Sequence, residues 1–210
     1  MNYKVDHISD IIGAQWLQKG QQMLIEDILF DSRKISFPPA SLFFTISGER
    51  RKGSDFIEDA YKKGVLNFVV DDSFSSDDLI KYPDAGFLKV NNVLDALQSL
   101  TSFHRNQFQY PVIGITGSNG KTIVKEWLYH LLSNDYQIVR SPKSYNSQIG
   151  VPLSVWQMGT EDNLGIFEAG ISLSGEMQRL EKIIRPDIGI ITFIGDAHSE
   201  GFNSLREKID

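Results

Sequence analysis

Short β-rich runs alternate with amphipathic segments along this chain, a spacing that predicts an α/β protein. Apolar runs at Leu24–Phe30, Ser41–Ile46, Leu66–Val70 and Phe87–Val90 predict four strands in the first half. Residues Asp55–Lys63 read as a helix, with Asp55 and Glu58 at capping-box spacing and Gly64 as a stop. Asn92 reads as the cap of another helix whose apolar stripe is Val93, Leu94, Leu97, Leu100 and Phe103. That helix fades before Pro111, because the residue ahead of a proline is pushed out of the α region. The second half opens on Val112–Thr116, a near-continuous apolar run like a buried parallel strand. Further strands are expected at Gln137–Arg140, Leu164–Glu168 and Ile188–Phe193, with helices over Lys121–Leu132 and Gly175–Ile184. This order fits the opening of a doubly wound parallel sheet. The expected division lies near residue 110, with a small α/β domain over 1–110 and the first part of a phosphate-loop sheet domain over 111–210.

Composition narrows the classes. Of 210 residues, 41 % are hydrophobic and 23 % charged, so a disordered chain is excluded. The longest uncharged stretch, Ser144–Thr160, carries Asn146, Gln148, Pro152 and Gln157 and cannot be a membrane span. Asp6, His7 and Asp10 stand where an export signal needs an apolar core, so the expectation is a soluble, cytoplasmic protein. Without cysteine there is no disulfide framework, thiolate nucleophile or cysteine-type zinc site. The formal charge of −6, shared equally by the two halves, argues against a nucleic-acid partner, which needs a basic face. A small anionic ligand stays compatible, since a few N–H groups or lysines suffice to hold phosphate.

The most informative stretch is Val112-Ile-Gly-Ile-Thr-Gly-Ser-Asn-Gly-Lys-Thr122, a strand, a glycine-bearing loop and a helix in sequence. Gly117 and Gly120 let the backbone turn tightly against a phosphate. The N–H groups of Ser118, Asn119 and the helix start at Lys121 would point at the anion. Lys121 would neutralise β/γ-phosphate charge and the Thr122 hydroxyl would take one Mg²⁺ position, making ATP and Mg²⁺ the expected ligands. Ile115 stands where the general phosphate-loop pattern has its first glycine, and a plain glycine turn is the competing reading.

Thr116-Gly-Ser-Asn-Gly-Lys-Thr122 resembles the ATP loop of the Mur ligases, ATP-dependent enzymes that add amino acids to the nucleotide precursor of peptidoglycan. The resemblance extends over nearly the whole chain. Asp31-Ser-Arg33, Ser41-Leu-Phe-Phe44 and Gly48-Glu-Arg50 are similar to the family's N-terminal nucleotide-sugar domain. Val124-Lys-Glu126 and Ala197-His-Ser-Glu-Gly-Phe202 are similar to the member that acts last, joining D-Ala-D-Ala to UDP-MurNAc-tripeptide. The reaction this implies is amide formation through an acyl phosphate. The resemblance also implies that the chain is an N-terminal fragment of such a ligase, lacking its amino-acid domain and unable to ligate alone.

The resemblance gives roles to residues that are ambiguous on their own. Glu168, at the carboxyl end of a predicted strand, reads alone as a solvent-facing acid; the family makes it a Mg²⁺ ligand and part of the catalytic set with Lys121. His198 becomes a second metal ligand, whereas His7, His104 and His130 stay ordinary. Ser32 and Arg33, alone a plausible turn, would meet the uridine diphosphate, the arginine fork suiting phosphate. Asn146 is kept in a substrate loop where Ser144, Ser147 and Gln148 replace the usual residues, and Lys52 and Ser54 depart from the family pattern as well. These changes, with Ile171-Ser-Leu173, look like those of a subgroup fused to a PLP-dependent alanine racemase. Two alternatives remain at this level: another Mur-type or folylpolyglutamate-type ligase, and a nucleotide-binding module without catalysis.

Overall fold

A computed structural model describes residues 1–21, 23–48 and 51–195. The chain separates into two compact units, Met1–Leu100 and Thr101 onward.

In the first unit the elements are β1 (Tyr3–Lys4), α1 (Val5–Ile12), β2 (Gln15–Gln18), β3 (Leu24–Ile25), β4 (Asp27–Leu29), β5 (Ser41–Phe44), α2 (Ile57–Lys62), β6 (Asn67–Val70) and β7 (Gly86–Lys89). The five-stranded sheet has the order β2-β7-β6-β5-β4, parallel from β4 through β7, with β2 antiparallel on β7. Strand alternation sends Phe43, Phe68 and Phe87 to one face, where they meet Ile57 and Ala60 of α2. Phe87 stacks on Phe68 and Phe74 with ring centroids 5.1 and 4.9 Å apart, so aromatic area dominates this core.

Two expectations for this unit are corrected. The run Leu24–Phe30 is not one strand: β3 pairs with β1 in a separate two-stranded sheet, and β4 pairs with β5. The break falls at Glu26, whose N–H donates to the Ala40 carbonyl instead of to a ladder. Nor does an α-helix begin at Asp55. A 3-10 turn over Gly53–Phe56 comes first, and the Asp55 carboxylate accepts from the Lys52 N–H, so Asp55 caps that turn.

The helix α3 (Val93–Arg105) starts as expected, with Asn92 Oδ1 accepting from the Asp95 N–H at 2.9 Å. Its last turn belongs to the second unit. Arg105 is buried and donates to the carbonyls of Ile184, Phe108 and Arg185 at 2.8, 2.8 and 3.0 Å.

The second unit continues with β8 (Val112–Thr116), α4 (Lys121–Leu132), β9 (Ile138–Arg140), α5 (Gly150–Val155), β10 (Leu164–Glu168), α6 (Glu176–Ile184) and β11 (Ile188–Ile191). Its sheet is wholly parallel with the order β11-β8-β10-β9. Val124, Leu128 and Leu132 of α4 pack on Ile113, Ile115, Leu164 and Ile166. The other face carries Val112 and Phe167 against α5 and α6. From β8 the chain goes one way to β9 and β10 and later the other way to β11. The carboxyl end of β8 therefore lies at the switch point where such sheets bind ligands.

His104, on α3, is buried within this unit, its ring Nε2 3.1 Å from the Met158 carbonyl and its face against Trp156. Burial pushes the imidazole down to about 4, against which the bond to Met158 works only partly. The unfolded chain protonates this group near pH 6.5, so its contribution to stability is complete above that value. The contribution is lost as pH falls from about 6.5 to about 4, up to about 3 kcal/mol. Urea unfolding at pH 7 and 4.5 should show wild type losing more stability than His104→Gln; equal losses would rule out a buried neutral imidazole.

Candidate functional site

The phosphate loop occupies the turn between β8 and α4. Gly117 sits at φ 132° and Gly120 at φ 85°, both conformations that side-chain-bearing residues rarely adopt. At Gly117 space alone forbids a side chain, since a Cβ would stand 2.2 Å from Thr192 Oγ1. That hydroxyl shares its one proton between the Asn119 carbonyl at 2.5 Å and the Thr116 carbonyl at 3.1 Å, spanning both ends of the turn. Ser118 donates its N–H to the Phe193 carbonyl at 2.6 Å, not to the anion it was expected to face, and its hydroxyl to the Gly195 carbonyl at 3.1 Å. The exit of β11 thus braces the loop, which is why the strand ends at Ile191 and not at Phe193 as its apolar run suggested. Lys121 Nζ folds back onto the Gly117 carbonyl at 2.6 Å.

Thr122 and Glu168 come together across the carboxyl ends of β8 and β10. Thr122 Oγ1 donates to Glu168 Oε2 at 3.0 Å, which leaves Ser144 as the donor in its 3.1 Å contact with Thr122 Oγ1. Glu168 is fully buried, so the reading of a solvent-facing strand-end acid is excluded. Its backbone N–H donates to Ser141 Oγ at 3.0 Å. Its other oxygen, Oε1, has no aligned hydrogen bond but stands 2.9 Å from Lys125 Nζ, a charge contact in a fully buried pair. Among the described residues no three His, Cys, Asp or Glu side chains gather into a metal cage. Two hydroxyls and one carboxylate beside a phosphate loop do match the donors Mg²⁺ accepts, because that ion keeps waters and takes phosphate oxygens.

Asn146 lies against Gly170, two residues past Glu168; its backbone carbonyl accepts from the Gly170 N–H, and its side chain fills the space a Cβ there would need. His198 and the Ala197–Phe202 motif, like Glu49 and Arg50, lie outside the described residues. In the first unit Ser32 is buried and its hydroxyl is engaged, donating to Asp59 Oδ2 at 2.5 Å, while Lys63 bridges Asp59 and the Ser32 carbonyl. Arg33 grips the Asp31 carboxylate with Nε and Nη2 at 2.9 and 2.8 Å. The guanidinium holds the Asp31 carboxyl down to about 2. The Arg33 side chain is otherwise exposed at 84 %, so its outer edge can meet a ligand.

Ser141 and Thr192 were not marked in the sequence, and Lys125 stood in the Val124-Lys-Glu126 match without a role. The available signal for Lys125 is its place one helical turn after Lys121, beside the inward-facing Val124 and Leu128.

The Mur ligase middle-domain model matches residues 115–209, and the model of the Mur ligase family catalytic domain matches residues 24–105. The UDP-N-acetylmuramoyl-tripeptide–D-alanyl-D-alanine ligase of Treponema pallidum is 37 % identical over 82 % of this chain and 38 % of its own length. The ligase of the same name from Bacillus subtilis is 32 % identical over 90 % of this chain and 40 % of its own. Among solved structures, MurF from Acinetobacter baumannii superposes with a TM-score of 0.88 at 25 % identity, covering 100 % of this chain and 45 % of that one. MurF from Thermotoga maritima, solved with ADP, gives 0.74 at 27 % identity over 87 % of this chain and 41 % of that one. The chain thus spans about two fifths of the length of the curated relatives it matches.

Proposed function

The chain belongs to the Mur ligase family, and from that premise we propose that it carries the precursor-binding and phosphate-binding parts of a ligase that joins D-Ala-D-Ala to UDP-MurNAc-tripeptide. The observation that carries the reading is the Thr122–Glu168 contact beside the glycine loop, where a nucleotide's terminal phosphates and a cation would meet. The terminal carboxylate of the precursor attacks the γ-phosphorus of ATP, ADP leaves, and an acyl phosphate forms. The amine of D-Ala-D-Ala then attacks that carbonyl, the amide forms, and phosphate departs with the proton lost to solvent or a base. Lys121 and the loop N–H groups other than that of Ser118, which the Phe193 carbonyl holds, would stabilise charge on the transferring phosphoryl group, where positioning and electrostatics supply most of the catalysis. Thr122 and Glu168, with His198, would hold Mg²⁺, which when bound neutralises phosphate charge.

Residues 1–110 are assigned the uridine diphosphate end of the precursor, through Ser32 and Arg33, and Asn146 a substrate contact on the second unit. Ser32 must exchange its Asp59 bond to reach a ligand directly, so its expected contribution is smaller than that of Arg33. The relatives' shared name, with Lys121, Thr122 and Glu168 present in this chain, supports this reading over a different ligase of this type or a non-catalytic module. Calorimetry with UDP-MurNAc-tripeptide should show binding without ATP, weakened about tenfold by Arg33→Ala through loss of one charge-assisted contact. Equal affinity of both proteins would remove Arg33 from the site. ADP binding by the chain, and its loss on altering the loop, tests the second unit independently.

A further inference from the structure

The loop pattern assigns Lys125 nothing, yet its ammonium is fully buried at the root of the site. Nζ stands 2.9 Å from Glu168 Oε1 and 3.3 Å from Glu126 Oε1. It also donates to the Ser141 carbonyl at 2.9 Å and to the Lys143 carbonyl. These partners lie on β10, on α4 itself, and on the turn that follows β9. Lys143 is held at φ 52°, a left-handed conformation unfavourable for a lysine, and its carbonyl is one of those that Nζ binds. The next residue, Ser144, places Oγ against Thr122 Oγ1. A single ammonium therefore fixes both the carboxylate and the turn that face Thr122.

Charge gives the arrangement direction. Glu126 is shared between Lys125 and Arg140, so Lys125, Arg140, Glu126 and Glu168 together are neutral. Lys121 adds a positive charge one turn away, on the loop side. A divalent cation reaching Glu168 Oε2 alone would meet a neutral cluster with an ammonium on the carboxylate's other oxygen. A cation arriving with phosphates brings the missing negative charge with it.

We propose that Lys125 is a positioning residue that turns one oxygen of Glu168 toward Thr122 and reserves it for a divalent cation arriving with nucleotide phosphates. The inference rests on the reading of Glu168 as a cation ligand and adds an order of binding to it.

Mn²⁺ binding to the 210-residue chain, followed by electron paramagnetic resonance with and without ADP, tests both. Wild type should bind Mn²⁺ at least about tenfold more tightly with ADP than without, given the size of charge effects at such range. Lys125→Met keeps the unbranched side chain one heavy atom shorter and removes its charge. When folded by near-ultraviolet circular dichroism, it should bind nucleotide-free Mn²⁺ about tenfold more tightly than wild type and lose most of the ADP dependence. Wild-type affinity indifferent to ADP overturns the inference even if the variant does not fold. Nucleotide-free affinity in Lys125→Met that equals or falls below wild type also overturns it and leaves the lysine a purely structural part. Failure of wild type to bind Mn²⁺ even with ADP overturns the cation reading of Glu168 itself, which distinguishes that failure from the others.

Discussion

Lys121→Ala is expected to leave the fold nearly intact and to cut precursor-dependent ADP release by about 10³-fold, or ~4 kcal/mol of transition-state stabilisation. The fold should survive because the side chain buries no apolar core; its ammonium donates to the Gly117 carbonyl, an acceptor that a phosphate oxygen would replace. The rate should fall because a loose phosphoryl transition state spreads charge over oxygens that this ammonium, on the proposed reading, would meet. Release is measured in a protein carrying the full ligase length, and ADP affinity in the chain itself should weaken in parallel. Release within a few-fold of wild type would take Lys121 out of the phosphate site.

Glu168→Ala should, besides any loss of cation binding, lower the stability of the second unit by about 3 kcal/mol. Both members of the Lys125–Glu168 pair are fully buried, so removing the carboxylate leaves an ammonium without its main counter-charge. Glu126 and two carbonyls keep some compensation, which places the loss at the low end for a broken buried pair. Trp127 and Trp156 both lie in this unit, and in a Trp16→Phe background their fluorescence reports its unfolding in urea. Adding Lys125→Met should recover most of the loss, the non-additivity expected of residues in contact. A loss below about 1 kcal/mol would show that the pair is solvated after all.

The parts of the fold legible in the sequence are those whose pattern depends on local burial. Val112–Thr116, Lys121–Leu132 and Leu164–Glu168 occupy the residues their apolar runs marked, because a strand covered on both faces and a helix with one covered stripe write simple periods. The first 23 residues were silent for the opposite reason. β2 is Gln-Trp-Leu-Gln, polar at both ends, and becomes a strand only by pairing with β7 across a register shift between Trp16 and Gln18. The helix α5 carries Gly150 and Pro152, poor helix formers whose defects are tolerable in a first turn where N–H groups have no intrahelical partner. At the site, the loop motif marked Thr122, whereas Glu168, which reads alone as a solvent-facing acid, was marked only by the family resemblance. Lys125 could not be read the same way, since a lysine one turn past another looks like any solvated helix face until the β9 exit turn folds over it.

That buried pair also constrains how the sequence can change over generations. Replacement of either Lys125 or Glu168 alone passes through a chain with a solitary charge in its interior, a step costly enough to remove most carriers from a population. Neutral exchange at these positions must therefore proceed jointly or follow a prior change that opens the site to water. Among descendants of this sequence the two positions should covary, with a neutral residue at 125 accompanied by a rebuilt turn at 141–144.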